Sequence, residues 1–202
     1  VLDSSSLPEW IQLPGYIVDK WKSGKMHHAH FSDICRLELL YRYGGLWMDA
    51  TDFVTADIPA WIWDEDFFLY TSGDKVGGCY SFVQNCFIRA RKGNYLVKAW
   101  REAAFEYWKH EDSTIDYYTH QLLFEKVVEC NPLASELFEK MPKHVQDPTH
   151  DAWFIYGSKP FDAASFAEIC SRSAFQKTEF KSARAISPVP GSFNGEMIKM
   201  YR

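Results

Sequence analysis

The sequence predicts one α/β domain in which helices flank a mixed β-sheet. Segments with the hydrophobic spacing of helices alternate along the chain with short apolar segments typical of buried strands. Glycine pairs follow some of these segments and indicate sharp turns. The 202 residues, 47% of them hydrophobic and 24% charged, are enough for one domain with a large buried core. No internal repeat or linker indicates a boundary, so we expect residues 1–202 to form a single domain.

The composition argues against several other classes of protein. The net charge is −5 and the basic residues are scattered, so we expect no nucleic-acid partner. No run reaches the roughly 18 apolar residues of a membrane-spanning helix. Five cysteines without a C-x-x-C pair argue against a disulfide scaffold and a zinc site. We therefore expect a cytoplasmic protein, and peripheral association with the inner face of the membrane stays open.

The most informative segment is a predicted helix followed by a predicted strand. Ser32 is a suitable N-cap for a helix from Asp33 to Tyr43, whose apolar residues recur at helical spacing. Gly44-Gly45 is expected to end this helix, because glycine readily adopts the left-handed conformation of a C-cap. The apolar segment Leu46 to Asp49 then resembles a short buried strand. Asp49 would thus lie at the C-terminal end of a central strand, where open α/β sheets bind ligands.

Other segments supply the remaining predicted elements. We expect His27, His28 and His30 in a loop rather than in a metal site, since they lack the helical i, i+4 spacing of paired ligands. Ser113 is a suitable cap for a helix that ends at Glu129. Further helices are predicted at 15–21, 95–110, 132–140 and 161–172, and strands at 66–71, 81–90 and 183–187. A turn is predicted at 77–78, and a loop with short strand candidates at 142–160.

Three residues with oxygen-bearing side chains follow the predicted strand. Hard cations such as Mn²⁺ or Mg²⁺ prefer oxygen ligands and usually take one or two carboxylates from a protein. Asp49, Thr51 and Asp52 can supply such ligands, and a bound cation would neutralise the phosphates of a departing nucleotide. In an extended chain Asp49 and Thr51 share a face and Asp52 points away. A turn after Ala50 would instead bring Asp52 toward Asp49, and both geometries stay open.

A carboxylate and a guanidinium lie three residues apart on the predicted helix. Asp33 and Arg36 therefore share one helix face. One interpretation is an ordinary surface ion pair, worth about 0.3–0.5 kcal/mol. The other is a pair aimed at a sugar, in which Asp33 accepts hydrogen bonds from hydroxyls and Arg36 donates to hydroxyls or phosphate.

The order and spacing of these residues resemble the S-D-x-x-R…L…G-G-x-[YW]-x-D-x-[DT] signature of the DXD sugar-binding families. The matching residues are Ser32-Asp33-Ile34-Cys35-Arg36, Leu39-Leu40 and Tyr43-Gly44-Gly45-Leu46-Trp47-Met48-Asp49-Ala50-Thr51. Among these families, the capsular polysaccharide synthesis group carries the D-A-T form found here. The resemblance covers roughly residues 10–145, and the last third of the chain is uninformative.

The resemblance implies roles for the matching residues. Asp33 and Arg36 would hold the donor sugar, and Trp47 would line the donor site. Asp49 would contact sugar, ribose or metal and be needed for catalysis. Thr51 stands where many relatives carry a second metal-binding aspartate, so Asp52 is a further candidate ligand for Mn²⁺ or Mg²⁺.

Two downstream positions also resemble the capsular group. Asn85, in Gln84-Asn85-Cys86-Phe87-Ile88, would lie near the donor sugar, or would merely cap a strand end. Asp116, in Ile115-Asp116-Tyr117-Tyr118, would face the reacting centre or the acceptor as a catalytic residue. The alternative for Asp116 is a carboxylate that only stabilises the start of a helix.

The resemblance implies a GT-A-like (Rossmann-like) glycosyltransferase that moves a sugar from a nucleotide-diphospho sugar to a glycan or lipid-linked acceptor, with retention of configuration. The N-terminal nucleotide-binding βα unit of such enzymes is expected to be missing from this sequence. Two rival hypotheses are a non-catalytic carbohydrate-binding or scaffold domain on the same fold and a metal-dependent hydrolase. Thr51 and the expected lack of the nucleotide-binding unit favour the first, and the second would need further His or carboxylate ligands that converge on Asp49.

Overall fold

The computed structural model describes residues 5–72 and 83–201, and the predicted turn at 77–78 and the first residues of predicted strand 81–90 lie outside the described residues. The strands are β1 (Gly45–Met48), β2 (Asp52–Val54), β3 (Phe67–Thr71), β4 (Val83–Ala90) and β5 (Phe175–Lys177). The helices are α1 (Leu7–Trp10), α2 (Gly15–Lys22), α3 (His28–Tyr43), α4 (Ala60–Asp64), α5 (Tyr95–His110), α6 (Thr119–Cys130), α7 (Pro132–Lys140), α8 (Ala163–Ser171), α9 (Ala183–Ile186) and α10 (Phe193–Tyr201).

The strands form two small antiparallel sheets instead of the predicted mixed sheet. One sheet has the order β1-β4-β3, and β2 pairs with β5 in the other. The parallel pairing found in the described ranges is an isolated bridge between Thr71 and Val145. The central strand is β4, so Asp49 follows an edge strand, β1, in this part of the chain. The prediction of a strand directly before Asp49 is confirmed, whereas its central position is wrong.

Helix α5 anchors the larger core and has the bounds that the sequence predicts. Asn94 caps it by accepting a hydrogen bond from the backbone N–H of Val97 (3.2 Å). On its buried face, Trp100 is 0% exposed and its ring lies 4.6 Å from that of Phe124 in α6. Helix α3 packs against α5 and β1, so the residues that precede Asp49 are held by this core.

The start of α3 differs from the prediction. The helix begins at His28, so Ser32 lies inside it and is not its N-cap. The cap is His27, whose Nδ1 accepts a hydrogen bond from the backbone N–H of Ala29 (3.2 Å). An imidazole can therefore take the acceptor role that the prediction assigned to a hydroxyl. His28 and His30 consequently belong to the first turns of a helix and not to a loop.

Other corrections concern elements that long-range contacts decide. Helix α6 begins at Thr119, six residues after the predicted cap Ser113. Residues 183–186 form helix α9 instead of a strand, and residues 175–177 form the unpredicted strand β5. The predicted loop at 142–160 contains a 3₁₀ turn (Asp147–Thr149) and a π-helical turn (Asp151–Ile155). A three-residue strand such as β5 depends on its partner for hydrogen bonds, so local patterns do not reveal it.

None of the helices seen in residues 5–72 and 83–201 is long and apolar enough to cross a membrane.

Candidate functional site

A tight turn reverses the chain directly after β1. The backbone N–H of Asp52 donates to the carbonyl of Asp49 (2.9 Å), and the backbone N–H of Asp49 donates to Asp52 Oδ2 (3.1 Å). The N–H of Asp52 thus bonds three residues back, as in a β-turn. Of the two geometries open from the sequence, the turn that brings Asp52 toward Asp49 is therefore the observed one.

A buried arginine joins the helix α3 to this turn. Arg36 Nη1 lies 2.8 Å from Asp33 Oδ1, and Arg36 Nη2 lies 3.0 Å from Asp49 Oδ1. Arg36 is 3% exposed and Asp33 is 8% exposed. The interpretation of Asp33 and Arg36 as a surface ion pair is therefore wrong. Burying a guanidinium requires paired charges and hydrogen bonds, and the two carboxylates supply both.

Two further predicted residues complete the same network. Trp47 Nε1 donates to Asp49 Oδ1 (3.0 Å), and the Trp47 ring lies 4.9 Å from the Arg36 guanidinium carbon. Asn85, on β4, donates from Nδ2 to Asp33 Oδ1 (3.2 Å). The five residues predicted to hold the donor sugar thus form one connected network of contacts with one another. Their roles in binding or catalysis stay predictions.

Lys177, which the sequence did not single out, lies on the other side of Asp49. Its Nζ is 3.0 Å from Asp49 Oδ2 and 3.3 Å from Asp52 Oδ1, and it donates a short hydrogen bond to Thr51 Oγ1. The β2–β5 register explains this position, since Asp52 is paired with Lys177 across the sheet. No local motif marks a lysine on a three-residue strand, and only the strand pairing across 125 positions reveals it.

Burial and charge shift the pKa values of this cluster. Burial raises the pKa of Asp52 to about 7, and the neighbouring Asp49 adds to the shift, while Lys177 opposes it. Burial alone would lower the pKa of Lys177, but the charges of Asp49 and Asp52 outweigh it and raise that pKa above its ordinary value. Burial alone would raise the pKa of Asp33, but the charges of His120 and Arg36 and a hydrogen bond with His30 hold that pKa below its ordinary value.

A small cavity lies beside Asp33. It has a volume of about 10 Å³ and is lined by His30, Asp33, Trp108, Thr114, Thr119, His120 and Leu123. This volume suits about one water molecule. Among the five converging residues, Asp33 lines this cavity. His120, which the sequence gave no role, is 4% exposed, and burial lowers its pKa to about 4.

Asp116 lies apart from the bonded network. It is exposed, and its Oδ1 accepts a hydrogen bond from the backbone N–H of Tyr118 (2.7 Å) just before α6. Among the residues the structure describes, no hydrogen bond or ion pair joins Asp116 to Arg36 or Asp49. The observed contact agrees with a helix-start carboxylate. The catalytic role of Asp116 stays a prediction.

The predicted metal ligands already surround a cation of the protein itself. Asp49, Thr51 and Asp52 each direct one oxygen toward Lys177 Nζ. Within the described ranges, no three His, Cys, Asp or Glu side chains form a group that could hold a metal ion. Lys177 lies between the three predicted ligands, and their role in binding a divalent cation stays a prediction.

Comparisons with known proteins place this chain in a family. No solved structure matches the chain. The chain is 35% identical over 100 residues to a protein of Aspergillus fumigatus named glycosyltransferase afumC, across 46% of this chain and 26% of that protein. It is 26% identical over 138 residues to a protein of Annulohypoxylon truncatum named O-glycosyltransferase braB, across 65% of this chain and 31% of that protein.

The matched segments thus span less than a third of the length of these two relatives. The family profile described as capsular polysaccharide synthesis protein covers far more of the chain, since it matches residues 1–189. That range includes the whole Asp33–Arg36–Asp49 network and Lys177. The family that the motif resembles is therefore confirmed: the chain belongs to the capsular polysaccharide synthesis protein family.

Proposed function

We propose that this chain is the catalytic domain of a glycosyltransferase. It moves a sugar from a nucleotide-diphospho sugar to a hydroxyl of a glycan or lipid-linked acceptor in surface-polysaccharide synthesis. The observation that carries the proposal is the buried Arg36, held between Asp33 and Asp49 (2.8 and 3.0 Å). Family membership and relatives named as glycosyltransferases support the same reaction class.

The chemistry of the network suits a sugar donor. Asp33 and Asn85 offer hydrogen-bond acceptors and donors for sugar hydroxyls, and Trp47 offers an aromatic ring beside them. Arg36 and Lys177 are cations on either side of Asp49. As the glycosidic bond breaks, negative charge develops on the departing diphosphate, and preorganised positive groups stabilise that charge. Asp49 would hold both cations in place while the bond breaks.

The finer parts of the proposal follow from the family resemblance. We propose the GT-A-like arrangement and retention of configuration on that basis. The donor nucleotide, the donor sugar and the acceptor are also part of the proposal. The relative from Annulohypoxylon truncatum is named an O-glycosyltransferase, which supports a hydroxyl as the accepting group.

A second candidate is a non-catalytic carbohydrate-binding domain on the same fold. One observation favours it: both oxygens of Asp49 already accept from Arg36, Trp47 or Lys177, which is also how a purely structural carboxylate behaves. A metal-dependent hydrolase is less well supported. In the described residues, the Asp49 carboxylate is surrounded by the hydrogen-bond donors of Arg36, Trp47 and Lys177, and hydrolase chemistry would need metal ligands there.

The first experiment identifies the donor. A panel of nucleotide-diphospho sugars is added to the full-length protein that contains this chain, and the melting temperature is measured. Selective stabilisation follows RT ln(1 + [L]/Kd), so a single stabilising compound identifies the donor. Transfer or hydrolysis of that donor is then assayed.

The second experiment tests catalysis with variants at position 49. We expect Asp49→Ala and Asp49→Asn to lower kcat by a factor of about 10² or more, the usual loss when one preorganised group is removed. Asp57→Ala is the matched control, because Asp57 is a nearby exposed carboxylate outside the motif, and its rates should be unchanged. Wild-type rates in a folded Asp49 variant would refute the catalytic assignment and favour the binding domain.

A further inference from the structure

We infer that Lys177 is the built-in cation of the nucleotide-diphosphate site, in the position that a divalent metal would otherwise take beside the Asp49–Asp52 turn. The inference deepens the proposed glycosyltransferase function and depends on it for the identity of the ligand. It concerns a group that contacts all three predicted metal ligands. It implies that the site accepts a diphosphate without a metal ion.

The first support is the set of contacts around the ammonium. Lys177 Nζ lies 3.0 Å from Asp49 Oδ2, donates to Thr51 Oγ1, and lies 3.3 Å from Asp52 Oδ1. These are the oxygens that the motif would offer to Mn²⁺ or Mg²⁺. A lysine ammonium is a compact point charge and binds phosphates in that capacity.

The second support is that backbone contacts of Lys177 and of the next residue, Thr178, fix the position of the lysine. Lys177 pairs with Asp52 in the β2–β5 sheet, so strand pairing sets its position relative to the turn. The next residue, Thr178, donates from its backbone N–H (2.8 Å) and from Oγ1 (2.6 Å) to the carbonyl of Thr51. The lysine is therefore attached to the same turn by two connections besides its side chain. Such anchoring differs from that of a surface lysine that meets a carboxylate by chance.

The third support is the state of Asp49. Its Oδ1 accepts from Arg36 Nη2 (3.0 Å) and Trp47 Nε1 (3.0 Å), and its Oδ2 accepts from Lys177 Nζ (3.0 Å). A metal ion at Asp49 would have to share Oδ2 with the Lys177 ammonium or displace it. Displacing Lys177, whose side chain is 17% exposed, would leave an ammonium near a second cation and without its partners. The resident lysine therefore opposes metal binding by both occupancy and charge.

The fourth support is the direction of access. Arg36 is almost fully enclosed, with a side chain 4% exposed, whereas the side chains of Lys177 and Asp49 are 17% and 26% exposed. Between Arg36 and Lys177, the cations that contact Asp49 in the described residues, Lys177 is thus the one that a ligand can reach. Its ammonium has three N–H donors: two donate to Asp49 and Thr51, and Asp52 Oδ1 lies 3.3 Å from the nitrogen beside the third. A phosphate oxygen would compete with Asp52 Oδ1 for this third and longest contact.

The test begins with the metal alone and uses no variant. Full-length wild-type protein is treated with EDTA, desalted, and titrated with Mn²⁺ by calorimetry and by electron paramagnetic resonance. We expect no binding that distinguishes the wild type from Asp49→Ala. Donor binding and sugar transfer should be unchanged in EDTA. Mn²⁺ binding that Asp49→Ala abolishes, or transfer that EDTA abolishes and Mn²⁺ restores, would overturn the inference.

Variants at position 177 sharpen the test. Lys177→Ala removes the resident cation and frees the three oxygens, so we expect Mn²⁺ to bind at least about tenfold more tightly than to the wild type. Metal-free transfer should fall at least about tenfold, and Lys177→Arg, which keeps the charge, should retain more of it. Lys181→Ala, at a nearby exposed lysine, should behave like the wild type in both assays. Unchanged metal-free transfer in a folded Lys177→Ala protein would refute the inference.

The proposed glycosyltransferase function and the proposed role of Lys177 would be refuted by different results. If the wild type transfers sugar only with Mn²⁺, the glycosyltransferase function stands and the role of Lys177 is overturned. If no nucleotide sugar is bound or used, the proposed function fails, and with it the role of Lys177 at a donor diphosphate. Should Lys177→Ala not fold, the wild-type Mn²⁺ titration and the EDTA assay decide the question by themselves.

Discussion

The burial of Arg36 has a consequence for stability that can be measured directly. Replacing Arg36 by Met keeps much of the apolar stem but removes the charge from between Asp33 and Asp49. Breaking a buried ion pair by removing one partner costs about 3–5 kcal/mol, because a carboxylate is left buried without compensation. Asp33 keeps its hydrogen bond from Asn85 (3.2 Å) and Asp49 keeps Lys177 (3.0 Å). We therefore expect a loss at the lower end of that range, about 3 kcal/mol.

The assay is urea unfolding at neutral pH followed by tryptophan fluorescence, with the midpoint and slope fitted together. Lys126→Met is the matched control, since Lys126 and Glu129 also form an i, i+3 ion pair but lie exposed on α6. That exposed pair should contribute less than about 1 kcal/mol. Adding Asp33→Asn to Arg36→Met should cost much less than the sum of the single changes, with a coupling energy of about 0.5–3 kcal/mol. A loss for Arg36→Met no larger than for Lys126→Met would refute the buried bridge.

Two further predictions concern the pH dependence of stability and the turn before β1. Burial lowers the pKa of His120 to about 4 from an ordinary 6.5, so the stability that this group contributes is present above pH 6.5 and is lost as the pH falls toward 4. The melting temperature of His120→Gln should therefore fall less than that of the wild type between pH 7 and pH 5, and parallel curves would contradict the shift. Gly44 has φ +68°, and an added Cβ would lie 2.5 Å from the backbone nitrogen of Lys92. Gly44→Ala should destabilise the protein by more than about 1 kcal/mol in urea unfolding, whereas Gly15→Ala, where nothing lies within 4 Å, should be nearly neutral. Equal midpoints for the two alanine variants would show that Gly44 carries no special constraint.

The features that the sequence determined are those encoded over short distances. Helix α5 has its predicted bounds, because its cap Asn94 and the spacing of its apolar residues lie within one continuous segment. Gly44 ends α3 as expected, because the backbone there has a positive φ, which glycine adopts more readily than other residues. The spacing from Asp33 through Arg36 to Asp49 was also visible and predicted the family that the wider comparison confirms.

Long-range contacts decided which of these side chains are buried and which of them meet. The sequence could not distinguish an exposed Asp33–Arg36 pair from a buried one, because burial depends on β1, β4 and α5 packing over α3. It could not choose between the two directions of Asp52, because the turn is held by β2 and its partner β5, more than a hundred residues later. The same pairing of β2 with β5 places Lys177 beside Asp49 and Asp52. A lysine in a three-residue strand has no periodicity of its own, so only the tertiary structure could place its charge among Asp49, Thr51 and Asp52.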